Sequence, residues 1–302
     1  MSDMDLLLTS EELEVVEQKE KILINRILQL GSLLVAYSGG VDSSLVAFYA
    51  KKLLRNRARV VIGVSSSLAQ ESLLAARAQA ELFNWKLDEI ETDEINIAQY
   101  KDNDGMRCFF CKATLFSILS EQAGNWGIHH IASGANVNDQ SELRPGSMAA
   151  DQFKVESPLV DAGLTKKEIR FLARRASLPS WDRPQDACLA SRIPINTTVS
   201  VDKLTRVERA EEYVRSLGFS QVRVRHFEER ASVEVGADEV YAFKVKPHLV
   251  LRIEDELKKL GFSEVEIDPL GYRTGSVSGE SEAPAFVKYG AALSTARPGP
   301  GF

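Results

Sequence analysis

The sequence predicts an α/β protein, in which a parallel sheet with helices on both faces is followed by a smaller C-terminal α+β domain. Short apolar runs alternate with segments of helical periodicity between residues 33 and 133, an order typical of parallel β-α units. A glycine pair directly follows the first apolar run. After residue 199 the order changes to helix, two strands, helix and strand. This change of pattern indicates two domains.

The composition favours a soluble globular protein with two domains. The chain has 302 residues, with 44% hydrophobic and 26% charged residues. Apolar stretches of a few residues are far shorter than the about 20 residues of a membrane-spanning helix. The first 20 residues are acidic, so we expect no signal peptide and predict a cytoplasmic protein. The net charge of −6 argues against general binding of nucleic acid.

The first domain is predicted over residues 1–198. Thr9 and Glu12 have the spacing of a capping box before a helix over residues 10–30, which ends near Gly31. Strands are predicted over 33–37, 60–64, 86–91 and 130–133, and helices over 43–54, 69–83, 111–122 and 165–176. Thr165 and Glu168 form a second capping box at the start of the last of these helices. Residues 134–160 are predicted to be loop-rich. No regular element fits residues 177–198, which we expect to run over the surface of this domain.

The second domain is predicted over residues 199–275. Helices are expected over 202–217 and 247–260, and strands over 221–227, 231–235 and 264–267. Residues 276–302 are rich in Gly, Ser, Ala and Pro, a composition typical of a flexible tail.

The glycine pair belongs to a string that predicts a phosphate site. Its candidate ligand-binding residues are Ser38, Gly39, Gly40, Asp42, Ser43 and Ser44. The glycines allow the backbone to approach an anion, and the serines begin a helix whose N-terminus carries partial positive charge. A carboxylate beside phosphates is repulsive unless a cation such as Mg²⁺ lies between them. The alternative is an ordinary glycine turn, since no kinase-type P-loop and no Gly-x-Gly-x-x-Gly string occurs.

The string resembles the signature of the PP-loop ATP pyrophosphatases. Further motifs resemble those of the LarE family of sulfur transferases: Arg107-Cys108-Phe109-Phe110-Cys111-Lys112, Gly134-Ala135-Asn136, Arg144-Pro145-Gly146, Ser157-Pro158-Leu159, Asp186-Ala187-Cys188-Leu189-Ala190-Ser191-Arg192, Arg215-Ser216-Leu217-Gly218-Phe219, Val222-Arg223-Val224-Arg225 and Gly271-Tyr272-Arg273-Thr274-Gly275. The resemblance covers roughly residues 30–275. It implies an ATP- and Mg²⁺-dependent enzyme that adenylylates the carboxylates of a pyridinium dicarboxylate mononucleotide. It then converts each to a thiocarboxylate for the nickel-pincer cofactor, releasing AMP and pyrophosphate.

Three cysteines form the second candidate site. Cys108 and Cys111 have C-x-x-C spacing, and Cys188 lies far along the chain. The spacing alone leaves open a metal or iron–sulfur site, a redox disulfide and buried thiols. A structural zinc site normally has four protein ligands, and the four histidines do not obviously supply the fourth. The resemblance implies a 4Fe–4S cluster with one open iron that holds a transferable sulfur. Other LarE members instead sacrifice one cysteine sulfur.

Arginines form the third candidate site. Arg223 and Arg225 alternate with valines on a predicted strand, so both point to one face, where guanidinium groups suit a phosphate or carboxylate. The alternative is a solvated strand with surface ion pairs. The resemblance implies that these arginines bind the substrate, together with Ser191, Arg192, Glu211 and Arg273. Glu211 also fits a solvated role on a charged helix face.

The strand that ends near residue 133 is followed by the remaining nucleotide-site candidates. Asn136 and Arg144 are expected to bind ATP, because ligands of open α/β sheets bind beyond the carboxyl ends of the strands. Asp139 could join Asp42 at the Mg²⁺ ion. Two other functions remain open: a tRNA thiolation enzyme and a non-catalytic nucleotide-binding iron–sulfur protein. The expected partners are a small-molecule substrate and further copies of the chain.

Overall fold

The computed structural model describes residues 8–141, 145–184 and 187–273. The predicted tail, Arg144 and Asp186 lie outside the described residues. The helices are α1 (Ser10–Leu30), α2 (Val41–Leu54), α3 (Gln70–Leu82), α4 (Ala98–Asp102), α5 (Arg107–Asn125), α6 (Pro145–Gln152), α7 (Pro158–Asp161), α8 (Lys166–Arg175), α9 (Val201–Ser216), α10 (Tyr241–Val245) and α11 (His248–Lys259). The strands are β1 (Leu33–Ala36), β2 (Ala58–Val64), β3 (Leu87–Glu91), β4 (Ile131–Ala132), β5 (Val222–Phe227), β6 (Arg230–Val235) and β7 (Glu264–Ile267). No helix in the described ranges is long and apolar enough to cross a membrane.

The first four strands form a parallel sheet in the order β3-β2-β1-β4. Successive residues of β1 enter opposite apolar clusters, Leu33 and Val35 on one face and Leu34 on the other. Helices α1, α2, α3 and α8 contribute to the first cluster, and α5 and α9 to the second. A strand that is apolar at every position is therefore covered on both sides. This confirms the predicted α/β fold class.

The predicted capping box of the N-terminal helix is confirmed. Glu12 N donates to Thr9 Oγ1 at 3.2 Å, and Thr9 N donates to Glu12 Oε2 at 2.8 Å. Its buried face consists of Val16, Leu23, Ile27 and Leu30. The apolar residues Val15, Ile22 and Leu28 are about half exposed, because the helix is in contact with the rest of the domain along one stripe only.

Two details of the prediction are wrong: the start of α5 and the course of the segment 177–198. The segment predicted to be loop-rich, residues 134–160, contains two short helices, α6 and α7. Helix α5 begins at Arg107 rather than at residue 111, and Asp104 Oδ1 accepts a hydrogen bond from Met106 N just before it. The segment 177–198 enters the interior, because Leu189, Ala190 and Ile193 are buried in the second cluster. Its apolar residues stand between prolines in a run too short to show periodicity.

The C-terminal part forms a second sheet in the order β5-β6-β7, with β5 antiparallel and β7 parallel to β6. Helices α9 and α11 cover it and build a third apolar cluster. Helix α9 belongs to two clusters. Its Leu204 and Val207 lie in the second, and its Ala210 and Val214 lie in the third.

A histidine of this second sheet is buried. His226 on β5 is 1% exposed, and neither ring nitrogen has a hydrogen-bond partner among the described residues. Its ring meets Phe262 edge-on, with centroids 5.1 Å apart. Burial, together with the positive charges of Arg206 and Lys203, lowers the pKa of His226 below its usual range, and the nearby Glu228 carboxylate opposes this.

We expect acid to destabilise the fold through His226. The folded-state pKa is lowered, so the unfolded state binds the proton more tightly. The contribution of the neutral ring is complete above the unfolded pKa of about 6.5 and is lost as the pH falls from there. Each unit by which the pKa of His226 is lowered removes about 1.4 kcal/mol from the free energy of unfolding at low pH. His226→Phe should flatten the dependence of the free energy of unfolding on pH between neutrality and pH ~5. The exposed His248→Phe is the control, and an equal effect of both variants would contradict the prediction.

Candidate functional site

The predicted phosphate loop lies between β1 and α2. Gly39 has a φ of +76°, and a Cβ at this position would stand 3.1 Å from the Cβ of Ala76. Ser38 N donates to Ser43 Oγ at 3.1 Å, which folds the loop over the helix N-terminus. Ser44 Oγ donates to Gly40 O at 2.7 Å and accepts from Gln79 at 2.7 Å. Ser44 is fully buried, so we expect it to stabilise the loop rather than contact a ligand.

The turn after β4 packs directly against this loop, because β4 is the neighbour of β1. A Cβ on Gly134 would lie 2.5 Å from the backbone nitrogen of Ser43. Asn136 is buried and its side-chain oxygen accepts from Asn138 N at 2.9 Å. Asn138 in turn accepts from Lys166 N at 2.9 Å. Asn136 therefore organises the edge of the loop site.

Asp42 lies at this edge with an incomplete set of partners. One carboxylate oxygen forms an ion pair with Lys166, and the other, Oδ1, is buried without a hydrogen-bond partner among the described residues. Burial raises the pKa of Asp42, although the Lys166 charge opposes this and the Asp139 charge adds to it. The sequence analysis did not single out Lys166. The predicted capping box at Thr165 and Glu168 places it in the first turn of α8, 124 residues from Asp42.

The three cysteines are free and belong to one electrostatic group. Cys108 and Cys111 lie one helical turn apart at the start of α5, and therefore on one face of it. Burial by surrounding protein raises the pKa of both thiols, and the negative charge of a Cys188 thiolate raises each further. Cys108 and Cys188 are nevertheless exposed. The three thiols are therefore partly covered by protein but reachable from solvent, which argues against the alternative of buried inert thiols. We call Cys108, Cys111, Cys188 and their surroundings the cysteine recess.

A single metal ion does not fit this group. Across the described ranges, no three His, Cys, Asp or Glu side chains are close enough together to bind one ion. The ligands of a four-iron cubane each bind a different iron and therefore stand farther apart than the ligands of one ion. The arrangement disfavours the zinc alternative and leaves the cluster as a prediction.

The two arginines of β5 are buried rather than solvated. Arg223 and Arg225 are each 6% exposed, while Val222 and Val224 pack into the third cluster as the alternation predicted. Arg225 donates to Glu234 at 2.8 and 3.0 Å and to Ser191 O at 3.2 Å. The alternative of a solvated strand is therefore wrong.

An aromatic ring lies beside these arginines. The guanidinium carbons of Arg223 and Arg225 stand 5.4 and 6.0 Å from the ring centroid of Tyr272. The neighbouring Arg273 instead pairs with Asp268 at 2.9 Å and is 46% exposed. Tyr272 is thus a further candidate site residue, which the sequence analysis quoted only within a motif.

Arg192 and Glu211 form a buried ion pair. Two nitrogens of Arg192 donate to the two carboxylate oxygens of Glu211 at 2.7 and 3.0 Å, and both side chains are almost completely buried. Glu211 also accepts from Val224 N at 3.0 Å and from Arg215 at 2.8 Å. The solvated role of Glu211 is therefore wrong, because the rest of the carboxylate's surface is covered by β5 and by the segment after Cys188.

Comparisons with known proteins place the chain in a family. No family model matches it. An uncharacterised protein of Synechocystis is 36% identical over 264 residues, covering 87% of this chain and 98% of the relative. The pyridinium-3,5-bisthiocarboxylic acid mononucleotide synthase of Lactiplantibacillus plantarum is 30% identical over 261 residues, covering 86% and 94%. An uncharacterised protein of Methanocaldococcus jannaschii is 28% identical over 245 residues, covering 80% and 91%.

The chain belongs to the LarE family of sulfur transferases. In this LarE-family protein the segment 188–192 contacts both the carboxyl edge of the parallel sheet and the arginine strand. Leu189 N donates to Ser67 O at 2.8 Å, just beyond the carboxyl end of β2. Ser191 O accepts from Arg225 on β5. The cysteine recess therefore lies between the carboxyl edge of the parallel sheet, where the phosphate loop is, and the arginines of the second sheet.

Glu94 is a further side chain at the recess that the sequence analysis missed. It is 2% exposed, and its Oε1 accepts from Ser67 Oγ at 3.3 Å and from Cys111 Sγ at 3.7 Å. Its Oε2 has no hydrogen-bond partner in the described part of the chain. A short turn after β3 carries it, and no local motif distinguishes it from the neighbouring Glu91 and Asp93.

A polar clasp joins α5 to the segment that bears Cys188. Arg107 donates to Ala190 O at 2.7 Å and to Asn103 Oδ1 at 2.8 Å. The amide nitrogen of Asn103 donates to Pro194 O at 2.7 Å and to Thr197 O at 3.1 Å. The guanidinium of Arg107 also interacts electrostatically with Cys108 and Cys188. The clasp therefore both positions Cys188 and supplies positive charge to the thiols.

We predict that Arg107→Gln slows alkylation of Cys108 by iodoacetamide at neutral pH in protein free of bound metal. Arg107 lowers the pKa of the Cys108 thiol, so its removal decreases the reactive thiolate about tenfold for each unit of pKa. Peptide mass spectrometry separates the rates of the three cysteines. Arg107→Lys keeps the charge but not the planar fork, so it should retain most of the reactivity. Equal rates for the wild type and both variants would contradict an electrostatic role.

Proposed function

We propose that this protein is an ATP-dependent sulfur transferase that converts the carboxylates of a pyridinium-3,5-dicarboxylate mononucleotide to thiocarboxylates for the nickel-pincer cofactor. The observation that carries the proposal is the segment 188–192, which contacts the end of β2, the cysteine helix and the arginine strand through hydrogen bonds. The named relative from Lactiplantibacillus plantarum supports the substrate class.

The loop between β1 and α2 is suited to the phosphates of ATP. Its backbone N–H groups and the N-terminus of α2 favour an anion. A Mg²⁺ ion fits the donor set, because the unpartnered Oδ1 of Asp42 is a free carboxylate oxygen next to Asp139. When bound, Mg²⁺ supplies the positive charge that stabilises the leaving pyrophosphate. We expect Lys166 to exchange its contact with Asp42 for one with the phosphates.

The cysteine recess is suited to a 4Fe–4S cluster with three protein ligands, Cys108, Cys111 and Cys188. The thiols repel one another as thiolates, and a positively charged group bound among them would offset this repulsion. When bound, such a cluster supplies an open coordination site for a transferable sulfide. Arg107 orients the Cys188 segment toward the helix that carries the other two ligands.

The arginine strand is suited to the anionic groups of the mononucleotide. Arg223 and Arg225 present guanidinium groups beside Tyr272, and Glu234 and Ser191 O hold Arg225 in place. A substrate carboxylate held here would attack the α-phosphorus of ATP and release pyrophosphate. A sulfide equivalent would then displace AMP from the acyl adenylate. Adenylylation is needed because a free carboxylate is a poor electrophile.

The decisive experiment is an anaerobic incubation of the protein with ATP, Mg²⁺, sulfide and the dicarboxylate mononucleotide. Mass spectrometry should detect thiocarboxylate product, and pyrophosphate should appear only when the substrate is present. Product formed without ATP would exclude adenylylation. Absence of pyrophosphate with any carboxylate would favour a nucleotide-binding iron–sulfur protein. A specific electrophoretic shift of tRNA, without mononucleotide turnover, would favour tRNA thiolation.

We predict that Asp42→Asn lowers pyrophosphate release on the order of a hundredfold or more while the fold is retained. The ionic contact with a metal is worth several kcal/mol at the transition state, and each ~1.4 kcal/mol is tenfold in rate. The side chain is not part of an apolar cluster, so thermal unfolding should change little. The exposed Asp151→Asn is the matched control. Full activity of Asp42→Asn would remove Asp42 from the metal site.

We predict that each of Cys108→Ala, Cys111→Ala and Cys188→Ala abolishes the brown chromophore and sulfur transfer but leaves pyrophosphate release intact. Adenylylation needs only the glycine loop, the metal and the carboxylate. The wild-type protein should turn over repeatedly with added sulfide, because ligand thiolates are not consumed. Mass spectrometry of the used protein provides the opposing outcome. Dehydroalanine at position 188, with Cys108 and Cys111 dispensable, would show a sacrificed cysteine instead of a cluster.

A further inference from the structure

A second concave site lies at the opposite edge of the parallel sheet from the phosphate loop. Its volume of about 680 Å³ is within the range of about 300–1,000 Å³ of small-molecule sites. The segments that enter all four strands line it: Gly31 and Ser32 before β1, Asn56 and Arg57 before β2, Lys86 before β3, and Ile128 and His129 before β4. We name it the amino-edge cavity.

The charge of the amino-edge cavity is opposite to that of the chain. Its lining includes Lys51, Arg57, Arg59 and Lys86, and no described lining residue is Asp or Glu. The whole chain carries a net charge of −6. Asp88 pairs with Arg59 and lies 3.9 Å from Lys86. An excess of positive charge remains around the recess, and an anion bound there would offset it.

The environment of Lys51 reflects this excess of positive charge. Its Nζ is held at the recess by hydrogen bonds to Arg55 O at 3.3 Å and Ala58 O at 3.2 Å. Burial lowers the pKa of Lys51, and the positive charge of Arg59 lowers it further, against a smaller effect of Asp88. A lysine near the end of a helix commonly compensates the helix dipole. That explanation suffices for Lys51 on α2, but not for Arg57, Arg59 and Lys86, which lie outside any α-helix.

One wall of the recess is preorganised. Arg59 donates to both carboxylate oxygens of Asp88 at 2.9 and 3.1 Å. Its guanidinium carbon stands 3.7 Å from the ring centroid of Trp126. Arg57 is exposed, and Lys86 is 77% exposed with its nitrogen 3.9 Å from Asp88. A fixed guanidinium therefore stands beside two exposed cationic side chains, those of Arg57 and Lys86.

We propose that the amino-edge cavity binds a multiply charged phosphate anion at a site separate from the phosphate loop. Guanidinium and ammonium groups together suit phosphate oxygens, and several such contacts are needed to neutralise a di- or triphosphate. The volume of the recess favours a small molecule over a protein segment. The ligand is either free pyrophosphate or the phosphate chain of a nucleotide. This inference does not depend on the sulfur chemistry.

The test uses the full chain labelled with 5-fluorotryptophan. The chain has three tryptophans, and Trp→Phe variants assign their ¹⁹F resonances. Titration with inorganic pyrophosphate, and separately with ATP, at physiological ionic strength should shift the Trp126 resonance saturably and leave Trp181 unchanged. A shift with both ligands indicates recognition of phosphate alone. A shift with ATP only indicates a nucleotide ligand.

Matched variants decide whether the cations carry the binding. Arg57→Ser with Lys86→Ser should weaken the titration at Trp126 at least about tenfold, from the loss of two charge-assisted contacts. Arg57→Lys with Lys86→Arg should retain it. Lys244→Ser with Lys258→Ser removes equal charge from exposed positions elsewhere and should have no effect.

Absence of a Trp126 shift would overturn the proposal. So would equal weakening by the Lys244 and Lys258 pair, because it would show unspecific attraction. Unchanged substrate-dependent pyrophosphate release in the Arg57 and Lys86 variant separates this site from the phosphate loop.

Discussion

The buried ion pair between Arg192 and Glu211 is the interaction on which the candidate site depends. A buried pair of charges is costly to desolvate and is tolerated only when its remaining polar atoms are satisfied. Here Arg192 also donates to Cys188 O at 3.0 Å, and Glu211 accepts from Val224 N. The pair thereby fixes the cysteine segment, helix α9 and strand β5 to one another. Removal of one partner of such a pair typically costs about 3–5 kcal/mol, so few substitutions are tolerated at this point.

The two edges of the parallel sheet carry different kinds of residues. At the carboxyl edge, a helix N-terminus, tight glycine contacts and the cysteine recess lie together. At the amino edge, the chain enters the strands through positively charged segments. This division follows from the parallel topology, because every β-α connection begins at one edge and every α-β connection ends at the other.

Contiguous features could be predicted from the sequence, whereas contacts between distant segments could not. The phosphate loop and both capping boxes consist of neighbouring residues, so their local pattern was sufficient. The alternation of β5 correctly placed Val222 and Val224 on one face and Arg223 and Arg225 on the other. The burial of the arginines depends on Tyr272 and Glu234 from other strands and loops. Lys166 and Glu94 carry no motif, and only the fold brings them to Asp42 and Cys111.

Helix α9 has a consequence for the architecture of the whole chain. Its first half packs into the second apolar cluster, on one face of the parallel sheet, and its second half packs into the cluster of the C-terminal sheet. A fragment cut near residue 198 would lack Leu204 and Val207 and so lose part of the second apolar cluster. The sequence pattern changes between the two predicted domains. Their apolar clusters nevertheless share helix α9, so we expect the two parts to fold together. Recombination between relatives can exchange them only at a crossover that keeps this helix compatible with both cores.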